Sequence, residues 1–520
     1  MAGEDRNTDN MELESMYESR SVSKKEPVVP GWNQGKEEIL AGRFSWFMGV
    51  ALAFGIWYTF CRYRNPYGIT YPFMVAGAFA ALAAMMRGLS MRVKKESWFL
   101  VGTAILLGIS TCRTADLWLI GMNKLGIFLL VIIFVIHQFC DDRKWSVGKY
   151  LGVMAVYFFQ CIGTIFYPFL QGRYFFRKVN MEKYGIVIRV AAGIGCAIPI
   201  VLVAGVLLGQ ADAVFGAVVT YWIDTFFNFE SLMVMVCLMV LGTFGVYCLV
   251  AGACAEKIKD DEKMVRTHEP VAAITCMSLV LILYLLFCGI QIVYLFLGKG
   301  SLPDGMTYSA YARQGFFQLL FVAVMNFVMV LLNLKFIKKN KGLNFILCVI
   351  CGCTYVMIAS AAYRMALYVG EYHLTYLRVL VLWFLGLLAV MMAGVTVLIY
   401  KNEFSLFRYL LVVISIFFLG FSFARPERVV AEYNLKHVDE WTRGDFAYMT
   451  QQLSADAVPA VVKALEKDER LFEFYSGERR EFWQGYYDGV IGKQYNEFHK
   501  GIRCYNFSYE AAKQALEKSR

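Results

Sequence analysis

Charge is the scarcest ingredient of this chain. Only 18% of its 520 residues are Asp, Glu, Lys or Arg, whereas 58% are hydrophobic and the mean hydropathy is +0.50. A soluble chain of this length would split into two or three cored domains with about a quarter of its residues charged, and that class is excluded. Catalytic signatures are missing as well. There is no phosphate-cradling lysine loop, no His-Glu-x-x-His pair, no nucleophile elbow and no kinase signature, so nucleotide-driven pumping is not expected. No window alternates basic with aromatic residues, which removes nucleic acid from the expected partners despite a net charge of +10. Of 14 cysteines only Cys504 falls in the polar C-terminal region, and a lone thiol builds no disulfide framework there.

What the chain has instead is long apolar runs. Twelve stand at 44–61, 70–86, 98–111, 117–140, 150–170, 185–209, 231–254, 271–297, 316–337, 343–368, 377–400 and 406–424. Most reach the length, about 20 residues, that carries a helix across a ~30 Å hydrocarbon layer; 98–111 is short. The fold class is therefore all-α: a polytopic transmembrane bundle of 11–12 segments over 44–424, dissolved in the lipid bilayer. Residues 1–43 are polar and mixed in charge, too poor in apolar area to offset ordering entropy. A disordered tail without a leader peptide is expected, with insertion driven by the first span.

Orientation follows from loop charge. Basic clusters occur in the N-terminal tail, at Arg87/Arg92/Lys94/Lys95, Arg143/Lys144/Lys149, Arg173/Arg177/Lys178/Lys183, Lys257/Lys259/Lys263/Arg266 and Lys335/Lys338/Lys339/Lys341. The loop 210–230 has no Lys or Arg. If all twelve runs crossed, the two faces would carry nearly equal positive charge. The asymmetry returns if 150–170, flanked by basic clusters and containing Gln160 and Pro168, is re-entrant or surface-lying. Eleven crossings then put the N-terminus in the cytoplasm and the C-terminal region outside the plasma membrane.

Residues 425–520 form a different material, with acids and bases nearly balanced and apolar residues at helical spacing. Residues 457–465 read as a helix with Pro459 in its first turn, where the missing N–H is harmless, and 509–517 as a last amphipathic helix. A small soluble helical domain is expected, resting on the spans.

Ionisable groups inside apolar runs each cost a few kcal/mol unless paired or hydrated, so they mark candidate sites. The richest cluster lies at 363–378. On a helix Arg364, Tyr368 and Glu371 share a face, Gly370 breaks the helix, and His373 and Arg378 follow across a turn. This is either a salt-bridged helical corner at the interface or a polar intramembrane binding site. A second stretch, 308–318, places Tyr308, Tyr311, Gly315 and Gln318 on one face with Arg313 beside them. It reads as an aromatic belt, or as a partner whose Arg313 joins the 363–378 corner in an anion-attracting pocket. Asp212 is placed to cap a helix starting at residue 213. Cys348, Cys351 and Cys353 lie in an apolar run without a histidine partner and read as helix-contact residues; no metal or cofactor is expected. His137 is a lone imidazole at a span end.

Together, Gln-Ala-Asp-Ala-Val-Phe at 210–215, the stretches 308–318 and 363–378, and Leu-Ser-Ala-Asp-Ala-Val-Pro at 453–459 resemble a bacterial multi-span membrane family known only as a domain of unknown function. The resemblance covers roughly residues 200–465. It implies a plasma-membrane protein of Gram-positive type and no assigned activity. In that family the corner usually reads Tyr-Gly-Leu-Thr; here His373 stands where the glycine would be. The leading expectation is a non-enzymatic sensor or assembly partner of the cell envelope whose residues 425–520 engage an envelope or signalling protein. Two alternatives stand beside it. One is a transporter of a small or anionic solute along Arg313, Arg364, Glu371 and Arg378. The other is a membrane enzyme on a lipid-linked phosphate, with Glu371 or His373 as base and arginines on the phosphate.

Overall fold

A computed structural model describes residues 34–178, 229–255, 268–293, 316–401, 404–438, 441–475, 477–492 and 501–519, with isolated positions between 190 and 215. These residues are helical; the only extended pairing among them is a bridge between His268 and Ile337. In lipid, backbone groups must bond within their own segment, and apolar runs satisfy that as helices. Eleven helices lie before the last two of the bundle: α1 (Gln34–Gly42), α2 (Phe44–Arg62), α3 (Tyr71–Gly88), α4 (Trp98–Thr111), α5 (Leu117–Phe139), α6 (Val147–Gly163), α7 (Tyr167–Lys178), α8 (Phe229–Ala255), α9 (Pro270–Gln291), α10 (Phe316–Phe336) and α11 (Lys341–Tyr372). The bundle closes with α12 (Tyr376–Tyr400) and α13 (Leu406–Ala424). Five helices follow: α14 (Pro426–His437), α15 (Arg443–Ala447), α16 (Val458–Lys467), α17 (Arg479–Val490) and α18 (Phe507–Ser519).

Nine helices among the described residues are long and apolar enough to cross a membrane. The run 185–209 lies largely outside the described residues. The tail expected to be unstructured to residue 43 is helical over Gln34–Gly42, because Leu40 is buried in the core of the first bundle half. The run 150–170 is divided between α6 and α7, which bend by 50° at the break.

Contacts between loops define two ends of the bundle. At the basic end, Arg43 Nη1 donates to the Gly88 carbonyl (3.0 Å) and Lys94 Nζ to that of Cys140 (2.7 Å). Arg408 bridges Glu96 (2.7 Å) and Asp142 (2.9 Å), while His137 Nδ1 sits 2.9 Å from both Asp142 oxygens. Burial pushes the Asp142 carboxyl up, but His137 and Arg408 together outweigh it and hold the group below its usual range. Glu269 pairs with Lys338 at the same end. Helices α6 and α7 begin and finish here: Gly148 adjoins Lys335, and Gly172 adjoins Phe44 at the start of α2. At the opposite end lie the loops 63–70, 112–116 and 373–375.

The bundle packs as two halves. One core joins α2 to α5 with α6 and α8, and the other joins α9 to α13. In the first, α2 and α8 approach so closely that a Cβ on Gly55 would stand 2.7 Å from the Met239 carbonyl oxygen. Only glycine permits that spacing, which is how apolar helices gain contact in lipid. Several polar residues in mid-bundle bond to one another. Tyr284 donates to Asn326 (2.7 Å), Asn326 to Thr354 (3.0 Å), and Ser422 to Asn123 (2.8 Å).

Candidate functional site

The end opposite the basic loops is covered by α14–α18. Their core takes in Ala115, Val369 and Leu374 from the bundle, so domain and bundle share one hydrophobic cluster. The contact begins with the turn 454–457, where Ser454 Oγ accepts from the Asp456 N–H (3.3 Å) and Pro459 opens α16. This turn aims Asp456 at the loop 112–116. Its carboxylate, 2% exposed, accepts from the Ala115 N–H (3.0 Å), the Thr114 hydroxyl (2.5 Å) and the Ser508 hydroxyl. Burial pushes this carboxyl above its ordinary value, with the three hydrogen bonds and Arg425 opposing. Asn506 extends the seam, donating to the Thr114 carbonyl (3.1 Å) while capping α18 through the Ser508 N–H (3.0 Å).

The loop 63–70 receives the segment 501–506. Arg503 donates to the carbonyls of Phe60 (2.8 Å) and Tyr63 (3.0 Å), and Asn65 donates to the Arg503 carbonyl (3.0 Å). Tyr67 stacks on Tyr509 at 5.8 Å and 20°. Cys504, the one thiol of the polar region, is buried against the Arg64 carbonyl.

Beside the seam lies a cavity of about 690 Å³ between the start of α5 and the domain. Asp116 and Trp118 line it from the bundle; Glu427, Gln451, Glu481 and Tyr486 are among its lining from the domain. Asp116 Oδ1 caps α5 by accepting from the N–H groups of Trp118 (2.9 Å) and Leu119 (3.1 Å). Its Oδ2 is buried against the Tyr376 hydroxyl, with which the Asp116 carboxylate interacts. Glu427 Oε2 accepts from the Ser454 N–H at 2.8 Å. Burial pushes the Glu427 carboxyl up to about 7; that hydrogen bond opposes the shift, and the Asp116 and Asp456 charges reinforce it. Among the described residues no Lys, Arg or His lines the cavity. Nor do any three His, Cys, Asp or Glu side chains among them form a metal-holding group.

The residues singled out in 363–378 adjoin this site. Helix α11 runs through Gly370 and ends at Tyr372, and His373 follows with φ +62° and ψ 176°. Arg378 donates to the carbonyls of Tyr372 and His373, and its guanidinium lies 4.3 Å from the Tyr368 ring centroid. Tyr368, His373 and Arg378 are thus brought together. Arg364 is buried deeper and donates to Gln291 (3.3 Å), which also accepts from Ser360 (2.7 Å). Glu371 is exposed. Arg313, with Tyr308 and Tyr311, lies outside the described residues. The corner also binds the domain: Leu374 exchanges two hydrogen bonds with Asn434, and the Tyr376 N–H donates to Tyr448 (3.1 Å). Sequence reasoning gave no role to Asp116, Glu427, Asn434 or Asp456. Only the 453–459 motif, which contains Asp456, hinted at them.

A bundle of apolar helices with a helical domain sharing its core defines the class: a multi-span helical membrane protein. Residues 101–464 match the family model described as Domain of unknown function (DUF4153), and the chain belongs to that family. The match spans both sides of the seam, from Thr114 to Asp456. No curated protein and no solved structure matches the chain.

Proposed function

We propose that the protein is a non-enzymatic sensor of the bacterial cell envelope. Its C-terminal domain faces the extracytoplasmic side of the plasma membrane and is mechanically joined to the spans. The supporting observation is the buried Asp456 bonded to Thr114 and Ala115. A domain that places its own carboxylate under the α4–α5 loop cannot shift without moving that loop. Lys94, Arg143, Lys149, Lys335 and Lys338 collect at the opposite end, which the positive-inside rule makes cytoplasmic. Helices α6 and α7 then form a re-entrant pair, the run 185–209 crosses, and eleven crossings result. Enzymatic use of a lipid-linked phosphate is disfavoured at the cavity, because its charged lining is carboxylate.

The placement is tested with a membrane-impermeant maleimide on intact cells. Ile502, 86% exposed, is replaced by cysteine in one variant and Lys338 in another, with the unmodified protein as background. Labelling of Ile502→Cys in intact cells, and of Lys338→Cys only after permeabilisation, supports the reading; the reverse pattern overturns it. The mechanical link is read by hydrogen exchange. Asp456→Ala is expected to speed exchange at 373–376 as well as at 112–118, and a change confined to 112–118 removes the link.

A further inference from the structure

We infer that the ends of α2, α3 and α5 nearest the C-terminal domain form a binding site for the phosphate group of an anionic phospholipid, held by Lys124, Arg62 and the Tyr71 hydroxyl. The inference goes beyond the proposed sensor and holds whichever side of the membrane the domain occupies.

Lys124 stands inside α5, a helix of 23 residues that is long and apolar enough to cross a membrane. An ammonium group there costs a few kcal/mol unless it is paired or hydrated. Among the described residues it has no hydrogen bond and no ion pair; its Nζ lies 5.8 Å from the centroid of the Tyr71 ring. Side chains on a helix lean toward its N-terminus, and Tyr71 opens α3, so the Lys124 stem carries its charge up toward the membrane boundary. The charge that acts on it there is another cation. Arg62, the last residue of α2, acts on both Lys124 and Tyr71.

Tyr71 supplies an independent observation. It is only 6% exposed, yet its hydroxyl has no hydrogen-bond partner among the described residues and is not enclosed by protein. A phenol O–H left open beside two cations fits an anion rich in oxygen, to which it donates while the cations balance the charge.

The surroundings supply no such anion. Arg62 donates to the Asn65 and Pro66 carbonyls through Nη1, which leaves its Nε and Nη2 without partners among the described residues. Arg64 donates to the Ser231 hydroxyl (3.1 Å), and Arg503 to backbone carbonyls. None of these arginines, nor Lys124, forms an ion pair among the described residues. Lipid is the natural source of the phosphate, because the flanking surface is apolar. Phe128, one turn from Lys124 on the same face of α5, is 44% exposed, and Phe73 in the first turn of α3 is 59% exposed. Acyl chains cover such rings while the headgroup meets the cations, an arrangement that free phosphate does not use.

The test is native mass spectrometry of the full-length protein released from detergent. Dioleoyl-phosphatidylglycerol is the probe, dioleoylglycerol the same lipid without phosphate, and inorganic phosphate the soluble competitor. Lys124→Met removes the charge and keeps a long stem, Lys124→Arg keeps the charge, and Tyr71→Phe removes only the hydroxyl. The expected result is retention of phosphatidylglycerol but not of dioleoylglycerol, about tenfold weaker in Lys124→Met, weakened in Tyr71→Phe and kept in Lys124→Arg. Without added lipid Lys124→Met should melt no lower than the unmodified protein, but phosphatidylglycerol should raise its melting temperature less. Equal retention of dioleoylglycerol, or undiminished retention of phosphatidylglycerol by folded Lys124→Met, overturns the inference. If Lys124→Met does not fold, Tyr71→Phe decides, and unchanged retention there overturns it too. Inorganic phosphate that binds as tightly and displaces the lipid overturns the lipid source and assigns the site to soluble phosphate. A reversed labelling pattern of Ile502→Cys with intact lipid binding removes the domain placement and leaves this site standing.

Discussion

Asn434 and Leu374 are joined by two hydrogen bonds of 2.8 Å that run in opposite directions. The Leu374 N–H donates to Asn434 Oδ1, and Asn434 Nδ2 donates to the Leu374 carbonyl. Leu374 lies between α11 and α12, where neither helix satisfies its backbone, and it is 8% exposed. One carboxamide on α14 thus completes the corner and ties the domain to it.

Replacing Asn434 with Leu leaves both Leu374 backbone groups unmatched in a dry contact. The expected cost is about 2–4 kcal/mol, because each stranded group loses its partner and remains desolvated. Limited proteolysis should cut first near the α13–α14 junction, and thermal unfolding of the domain should begin earlier. Asn434→Asp keeps the acceptor alone and should fall between the two.

His373 carries a conformation, φ +62° with ψ 176°, that side-chain-bearing residues rarely adopt. Glycine is the residue that takes this backbone without strain. His373→Gly is expected to stabilise the protein by about 1 kcal/mol, the relieved strain exceeding the greater flexibility of glycine in the unfolded chain. A lower denaturation midpoint in this variant would contradict the account.

Glu427 makes the protein more stable in mild acid. Its carboxyl is pushed up to about 7 from the ordinary 4.5, so between those pH values the folded chain holds a proton that the unfolded chain has lost. Stability falls as pH rises through that window and levels off above it, by about 3 kcal/mol in total. Glu427→Gln should flatten this slope. Unfolding at pH 5 and pH 8, compared for the two proteins, checks the sign and the size.

Gly68 admits the segment 501–506 by lacking a side chain. A Cβ there would lie 2.6 Å from the Arg503 carbonyl oxygen and 2.7 Å from the Cys504 Cα, both backbone atoms that cannot swing aside. Gly68→Ala should loosen this segment and expose Cys504, whose thiol is buried in the native protein. Maleimide modification at Cys504, followed by mass spectrometry, is expected to rise from near zero to near completion. An unreactive thiol in a stably folded variant would show that the segment adapts.

The sequence by itself determined the long apolar helices of the bundle. The runs 98–111 and 406–424 coincide with α4 and α13, and Pro459 stands in the first turn of α16 as its chemistry requires. These features are local: apolar length, periodicity and caps lie within one segment, and lipid forces each segment to satisfy its own backbone. The break of 150–170 into α6 and α7 was half visible, in the basic clusters on both sides and in Pro168. Which distant pieces meet was decided only by the tertiary structure. Helical spacing put Arg364, Tyr368 and Glu371 on one face, yet Arg364 turns to Gln291 while Arg378 stacks on Tyr368. Asp456 read as one residue of a motif until folding set it against Ala115, 341 positions earlier. A buried carboxylate takes its partners from whatever backbone the packing of remote helices delivers, and no local pattern encodes that meeting.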